Sequence, residues 1–146
     1  MSSATTRVGE TEATYTYLPH GLRSTKSTGD VTTSYVWDGS NTVLERVGSA
    51  VTAKYFRGIN LISSQIGDTA NYYLYNAHGD VTGLANASGA LTKSYEYDAF
   101  GNEKAIDETD VNPYRYCGEY YDCETGRIYL RARYYDPCLL YTSRCV

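Results

Sequence analysis

The sequence predicts an all-β chain, an antiparallel β-hairpin meander, and three observations carry that expectation. Tyrosine occurs 17 times against two phenylalanines in 146 residues. Tyr15, Tyr35, Tyr55, Tyr75 and Tyr95 fall 20 residues apart, about the length of two strands with their turns. Runs of strand formers are separated by clusters of Gly, Asn, Asp and Ser at roughly ten-residue spacing, as in hairpin meanders. Tyrosine suits such a sheet, because its body packs while its hydroxyl tip meets water or a polar partner.

The elements follow from the punctuation. Val31–Trp37 runs to the turn at 38–41, Thr42–Val47 to Gly48-Ser49, and Val51–Phe56 returns to Arg57-Gly58. Residues 59–66 lead to the turn at Gly67-Asp68; Asn71–Tyr75 precedes the turn at 76–80, and Val81–Ala85 the turn at 86–89. Ala90–Asp98 closes the series. Each turn supplies Gly, Asn or Asp, which tolerate positive φ or bond their own backbone. In "YEYDAFGN", Tyr95 and Tyr97 share one face of a strand because side chains alternate with period two. Asp98 stops that strand and Gly101 turns the chain. The acidic stretch 104–113 reads as a surface loop or a short helical excursion. Its Asp107, Glu108 and Asp110 lack the alternating ligand spacing and central glycine of a calcium loop. Further on, Tyr120–Cys123 and Arg127–Tyr135 read as two strands joined by Glu124-Thr125-Gly126. On the second strand Ile128, Leu130, Ala132 and Tyr134 are expected on one face, and Tyr129, Arg131, Arg133 and Tyr135 on the other. Arg131 and Arg133 would then pair with Glu119, Asp122 or Glu124.

The search for chemistry returns no catalytic, cofactor or metal residues. There is no G-x-S-x-G elbow, Walker loop or H-E-x-x-H helix. His20 and His78 sit in turn-like "PHG" and "AHG", and Cys117 reads as a strand residue without a base. Cys117 and Cys123 are too widely spaced for a usual zinc pair; a disulfide and two free thiols both remain open. Asn86-Ala87-Ser88 has the form of a glycosylation sequon, but a turn explains it. A net charge of −4 argues against nucleic acid as a partner. No apolar run approaches the ~18 residues of a membrane span.

The residues also carry a family likeness. "YEYDAFGN" resembles the YD repeat, with Tyr95, Tyr97, Asp98 and Gly101 in the motif positions. Residues 112–137 resemble the start of the RHS repeat-associated core domain. The match runs through Tyr114, Tyr116, Gly118, Tyr121, Asp122, Gly126, Tyr129, Leu130, Arg131, Arg133, Tyr134, Tyr135, Asp136 and Pro137. Cys123 stands where a charged residue is more usual, and Arg127-Ile128 replaces a more aromatic or aliphatic pair. The resemblance implies a bacterial polymorphic-toxin or wall-associated protein, exported to the cell surface or secreted as part of a larger chain. In that family the repeats wind a spiralling β-sheet shell, the core domain closes one end, and a C-terminal toxin is enclosed. The partners implied are the rest of the shell and that toxin; the alternative is a tyrosine-rich module that binds cell-surface carbohydrate.

The expected organisation is therefore a flexible N-terminal segment over 1–12, repeats over 13–111, and the start of the core over 112–137. The tail 138–146, "CLLYTSRCV", breaks with all that precedes it. It back-translates to an inverted repeat that resembles the transposon end used in sequencing-library preparation, and it is read as adapter sequence that interrupts a longer chain. A piece cut from such a repeat array is expected to show unpaired strand edges.

Overall fold

The computed structural model describes residues 2–8 and 11–138; the expected adapter segment, apart from Cys138, lies outside the described residues. Ten strands follow one another in a single antiparallel sheet, each bonded to its neighbour in sequence. They are β1 (Ser2–Val8), β2 (Thr11–Tyr17), β3 (Arg23–Thr28), β4 (Val31–Asp38) and β5 (Asn41–Val47), then β6 (Ala50–Arg57), β7 (Leu61–Ile66), β8 (Thr69–Tyr75), β9 (Val81–Ala85) and β10 (Leu91–Ser94). The sheet is open, with β1 and β10 as its outer strands. Ser2–Val8 lies in the segment expected to be flexible; it is an extended strand in register with β2.

Two kinds of turn recur in the meander. Gly29, Gly39, Gly48 and Gly67 each open a two-residue hairpin with φ between 57° and 59°, the arrangement that a Gly-x loop favours. While the β6–β7 turn at 57–61, with Gly58 second, follows neither form, four more are five-residue turns with glycine fourth: 18–22, 76–80, 86–90 and 98–102. In the last three the first residue is Asn or Asp, and its side-chain oxygen accepts the amides two and four residues on. Asn76 Oδ1 takes His78 and Asp80, Asn86 Oδ1 takes Ser88 and Ala90, and Asp98 Oδ1 takes Phe100 and Asn102. The sequon asparagine is thus a turn acceptor. At Gly101 the need for glycine is twofold: φ is 91°, and a Cβ would meet the Tyr116 ring at 2.5 Å.

After β10 the chain forms the loop over 104–113, without a helix, and then a smaller sheet of β11 (Tyr120–Asp122), β12 (Arg127–Tyr129) and β13 (Tyr134–Tyr135). The expected single strand Arg127–Tyr135 is therefore two. Arg131 has φ 64°, the Leu130 N–H donates to the Arg133 carbonyl, and the chain reverses between β12 and β13. This overturns the expected face pattern, since Tyr129 now lies opposite Tyr134, and Ile128 opposite Tyr135. Cys117 is likewise not in a strand. It occupies a single 3-10 turn, Tyr116–Gly118, at φ 53°. Cys117 and Cys123 are free thiols.

Candidate functional site: a tyrosine seam

The core lies between one face of the large sheet and residues 112–137, which run back across it. The two members of a Tyr-x-aromatic pair divide their labour. The first ring turns to the returning segment: Tyr15, Tyr35, Tyr73 and Tyr95 are buried, as is Tyr55, which Arg57 and not an aromatic follows two residues on. In three pairs the second ring reaches back to the start of the preceding strand and donates to a carbonyl there. Trp37 Nε1 bonds Arg23 O at 2.7 Å, Tyr75 Oη bonds Leu61 O at 2.7 Å, and Tyr97 Oη bonds Val81 O at 2.8 Å. Two rings on one strand face stack in two of the pairs, at 6.4 Å for Tyr73–Tyr75 and 6.5 Å for Tyr95–Tyr97, whereas Tyr35 and Trp37 are tilted at 45°. The buried series runs through Tyr73, not Tyr75 as an even 20-residue count suggests. Tyr55 to Tyr73 spans 18 residues through the shorter strand β7, Tyr73 to Tyr95 spans 22 through the two wide turns flanking β9, and Tyr75 takes the second position.

The returning segment answers these rings in order. Asn112 sits beside Tyr95 and Tyr73, with Oδ1 accepting from Tyr73 Oη at 2.7 Å and Nδ2 donating to Tyr95 Oη at 3.1 Å. Tyr114 packs edge-on against Tyr55 at 4.9 Å and against Tyr73 at 6.5 Å. Tyr120 meets Tyr35 at 5.8 Å, Tyr129 meets Trp37 at 6.2 Å, and Tyr134 meets Tyr15 at 5.5 Å. Such edge and tilted contacts add about 0.5–1.5 kcal/mol each beyond burial.

Two buried arginines hold the ends of this seam. Arg23, 1% exposed, donates Nη1 to Asp122 Oδ2 at 2.6 Å, and Asp122 is fully buried. Its guanidinium lies 4.5–5.3 Å from the ring centres of Tyr15, Tyr35, Tyr120 and Tyr129, while Nε and Nη2 have no hydrogen-bond acceptor. Ring faces take the place of acceptors there. Lys26 joins the cluster at 2.7 Å from Glu124. Burial opposes the charge on Glu124, but the Lys26 ammonium holds its carboxyl below the usual range. At the other end Arg115 bonds Glu103 at 2.7 Å and the Asn112 carbonyl at 3.1 Å. Burial pushes the Tyr15 and Tyr75 phenols up to about 12, with Asp122 adding to the effect at Tyr15.

The remaining motif residues frame the seam. Tyr121 lies under Arg115, 4.8 Å from ring centre to guanidinium. Gly118 and Gly126 hold φ of 65° and 68° at turns. Arg131 pairs with Glu119 at 2.9 Å, as expected, whereas Asp122 and Glu124 go to Arg23 and Lys26. Asp136 pairs with Arg127 at 3.2 Å, Tyr135 Oη donates to the Phe100 carbonyl, Pro137 is buried, and Arg133 is exposed. Sequence reasoning gave no role to Arg23, Lys26, Asn112 or Arg115. The strand "RSTKST" is polar throughout and gave no sign that Arg23 faces the core.

Fold and seam together define an open antiparallel repeat sheet closed on one face by its own continuation. No family model matches the chain. Among curated proteins it is 41% identical over 92% of its length to the tRNA3(Ser)-specific nuclease WapA of Bacillus spizizenii. It is 39% identical over the same share to the tRNA nuclease WapA of Bacillus subtilis strain 168. The chain spans only 6% of those relatives. Among solved structures it resembles TcdB2-TccC3, at TM-score 0.65 and 19% identity over 92% of this chain and 8% of that one. It also resembles TcdB2-TccC3 without its hypervariable C-terminal region, at TM-score 0.62, 19% identity, and 89% and 7% coverage. These likenesses establish the open β-sheet fold.

Proposed function

We propose that this chain is a non-catalytic wall segment of an RHS/YD-repeat shell, with residues 112–137 beginning the core domain that closes it. In this reading the shell encloses a C-terminal toxin and delivers it in competition between bacteria, and the protein is exported as part of a longer chain. One observation carries the reading: every buried repeat tyrosine is met by a residue of the returning segment, so the rings join wall to closure. A carbohydrate-binding module would gather tyrosines on an exposed platform, yet among the described residues Tyr72 is the one exposed tyrosine. Among the described residues no helix is long and apolar enough to cross a membrane. We assign the nuclease activity in the relatives' names to parts of those proteins outside the matched stretch, since the stretch is 6% of their length.

Sequencing the locus on both sides of the codons for residues 1–137 tests this. The reading frame is expected to continue upstream into further tyrosine repeats, and downstream through a completed core into an unrelated C-terminal domain. A native frame that encodes only this short chain would overturn the reading.

A further inference from the structure

The turn at 76–80 and the 3-10 turn at Tyr116–Gly118 bring three different donor atoms around one point. His78 Nδ1 lies 2.9 Å from Asp80 Oδ1 and 4.0 Å from Cys117 Sγ, and the three donors are all within 4.8 Å of one another. We infer that His78, Asp80 and Cys117 form a binding site for a divalent transition metal, Zn2+ first, with one coordination position open to solvent or a further ligand.

The distances fit a small adjustment. With Zn–S near ~2.3 Å and Zn–N and Zn–O near ~2.1 Å, tetrahedral angles place N and O about 3.4 Å apart and S and N about 3.6 Å apart. The His78–Asp80 pair opens and the His78–Cys117 pair closes, each by roughly half an ångström, and the Asp80–Cys117 pair, within 4.8 Å, closes by up to about 1.2 Å. His78 and Cys117 are exposed and free to make that movement, whereas Asp80 is buried and fixed. Its Oδ2 accepts from Asn76 Nδ2 at 2.8 Å, and its Oδ1 accepts the Cys117 amide at 2.9 Å. The ligand most restrained is thus already oriented by the groups behind it.

The same three residue types make up a nucleophile relay in some enzymes, but the geometry separates the cases. A relay places the thiol and the carboxylate on opposite nitrogens of the imidazole. Here both face Nδ1, the arrangement of ligands around a shared cation. A carboxylate only accepts, so without metal the Nδ1 proton sits in the bond to Asp80. When Zn2+ binds, that proton is replaced on Nε2 from solvent, the thiol releases its own proton, and one thiolate and one carboxylate balance the two positive charges. A thiolate with an imidazole selects Zn2+ over Mg2+ or Ca2+, which prefer all-oxygen shells. Beside the donors, Tyr116, Ile128, Leu130 and Tyr135 line a hollow where a fourth ligand has room.

The test uses the whole chain without a polyhistidine tag. Titration with Co2+ is expected to give a thiolate-to-metal charge-transfer band in the near ultraviolet that saturates stoichiometrically. The band should vanish in Cys117→Ser, persist in Cys123→Ser, and need at least ~10-fold more Co2+ in His78→Ala. Zn K-edge X-ray absorption reads the same shell on soluble and associated protein alike, and should show sulfur at about 2.3 Å with nitrogen or oxygen near 2.1 Å. A shell without sulfur, or sulfur that survives Cys117→Ser, overturns the site.

Discussion

The two ends of the seam use the same residue type under the same burial and solve it differently. Arg115 is paired locally, with Glu103 twelve residues away and carbonyls three and five residues away. Arg23 is paired with Asp122 across 99 residues of chain, and nearby Tyr17 bonds Tyr134 across 117. The β10 end can form soon after its own loop closes, whereas the β2 end waits for the whole chain to return. Where acceptors are near in sequence, the guanidinium is satisfied by hydrogen bonds. Where they are far, one carboxylate and a cage of rings suffice.

Breaking the distant end should therefore have the largest effect. Asp122→Ala leaves Arg23 buried without its one carboxylate, and loss of a buried pair's partner costs about 3–5 kcal/mol. Urea unfolding followed by circular dichroism should show that loss. Glu103→Ala at the local end should cost about 1–2 kcal/mol, because Arg115 keeps the carbonyls and Asp110. Equal losses at the two ends would remove the distinction.

High pH acts on both ends together. Tyr15 and Tyr75 are raised to about 12 in the folded chain, chiefly by burial, while an unfolded tyrosine titrates near ~10. The folded state thus holds protons that the unfolded state has lost. This contribution to stability is complete below pH ~10 and falls as pH rises through about 12. Apart from exposed Tyr72 and the half-buried rings, tyrosinate absorbance should therefore appear together with the loss of sheet signal. Titration of nearly all the phenols near ~10 with the sheet intact would show that the rings are not buried as described.

Much of this was legible in the residues, and the limit has a physical form. Strands and turns are local, so alternation and the Gly, Asn and Asp positions marked β4 to β10 within a few residues. The shared face of Tyr95 and Tyr97 followed from the two-residue period alone. Arg131 was different: an arginine at φ 64° leaves no mark in a run that otherwise reads as strand. Arg23 was hidden for another reason, because its burial is decided by Asp122 and rings up to 106 residues away. Even spacing also misled at Tyr75, since strand and turn lengths both vary from repeat to repeat. Neither a local pattern nor spacing could bring His78 to Cys117.

The finest probe of the comparison is a single hydroxyl pair. Tyr17 and Tyr134 share a 3.0 Å bond at the distant end, where Tyr134 Oη also lies 3.4 Å from Arg23 Nη1. Tyr17→Phe removes one hydroxyl without opening a cavity, and it leaves Tyr134 to serve Arg23. The expected cost is about 0.5–1.5 kcal/mol. Tyr73→Phe at the local end removes bonds to both Asn112 and Ser64 and strands the Asn112 oxygen with one weaker donor, Tyr114 N at 3.3 Å. It should therefore cost more than Tyr17→Phe in the same urea titration. The reverse order would mean that the distant bond, and not the asparagine, limits how tightly the returning segment lies on the sheet.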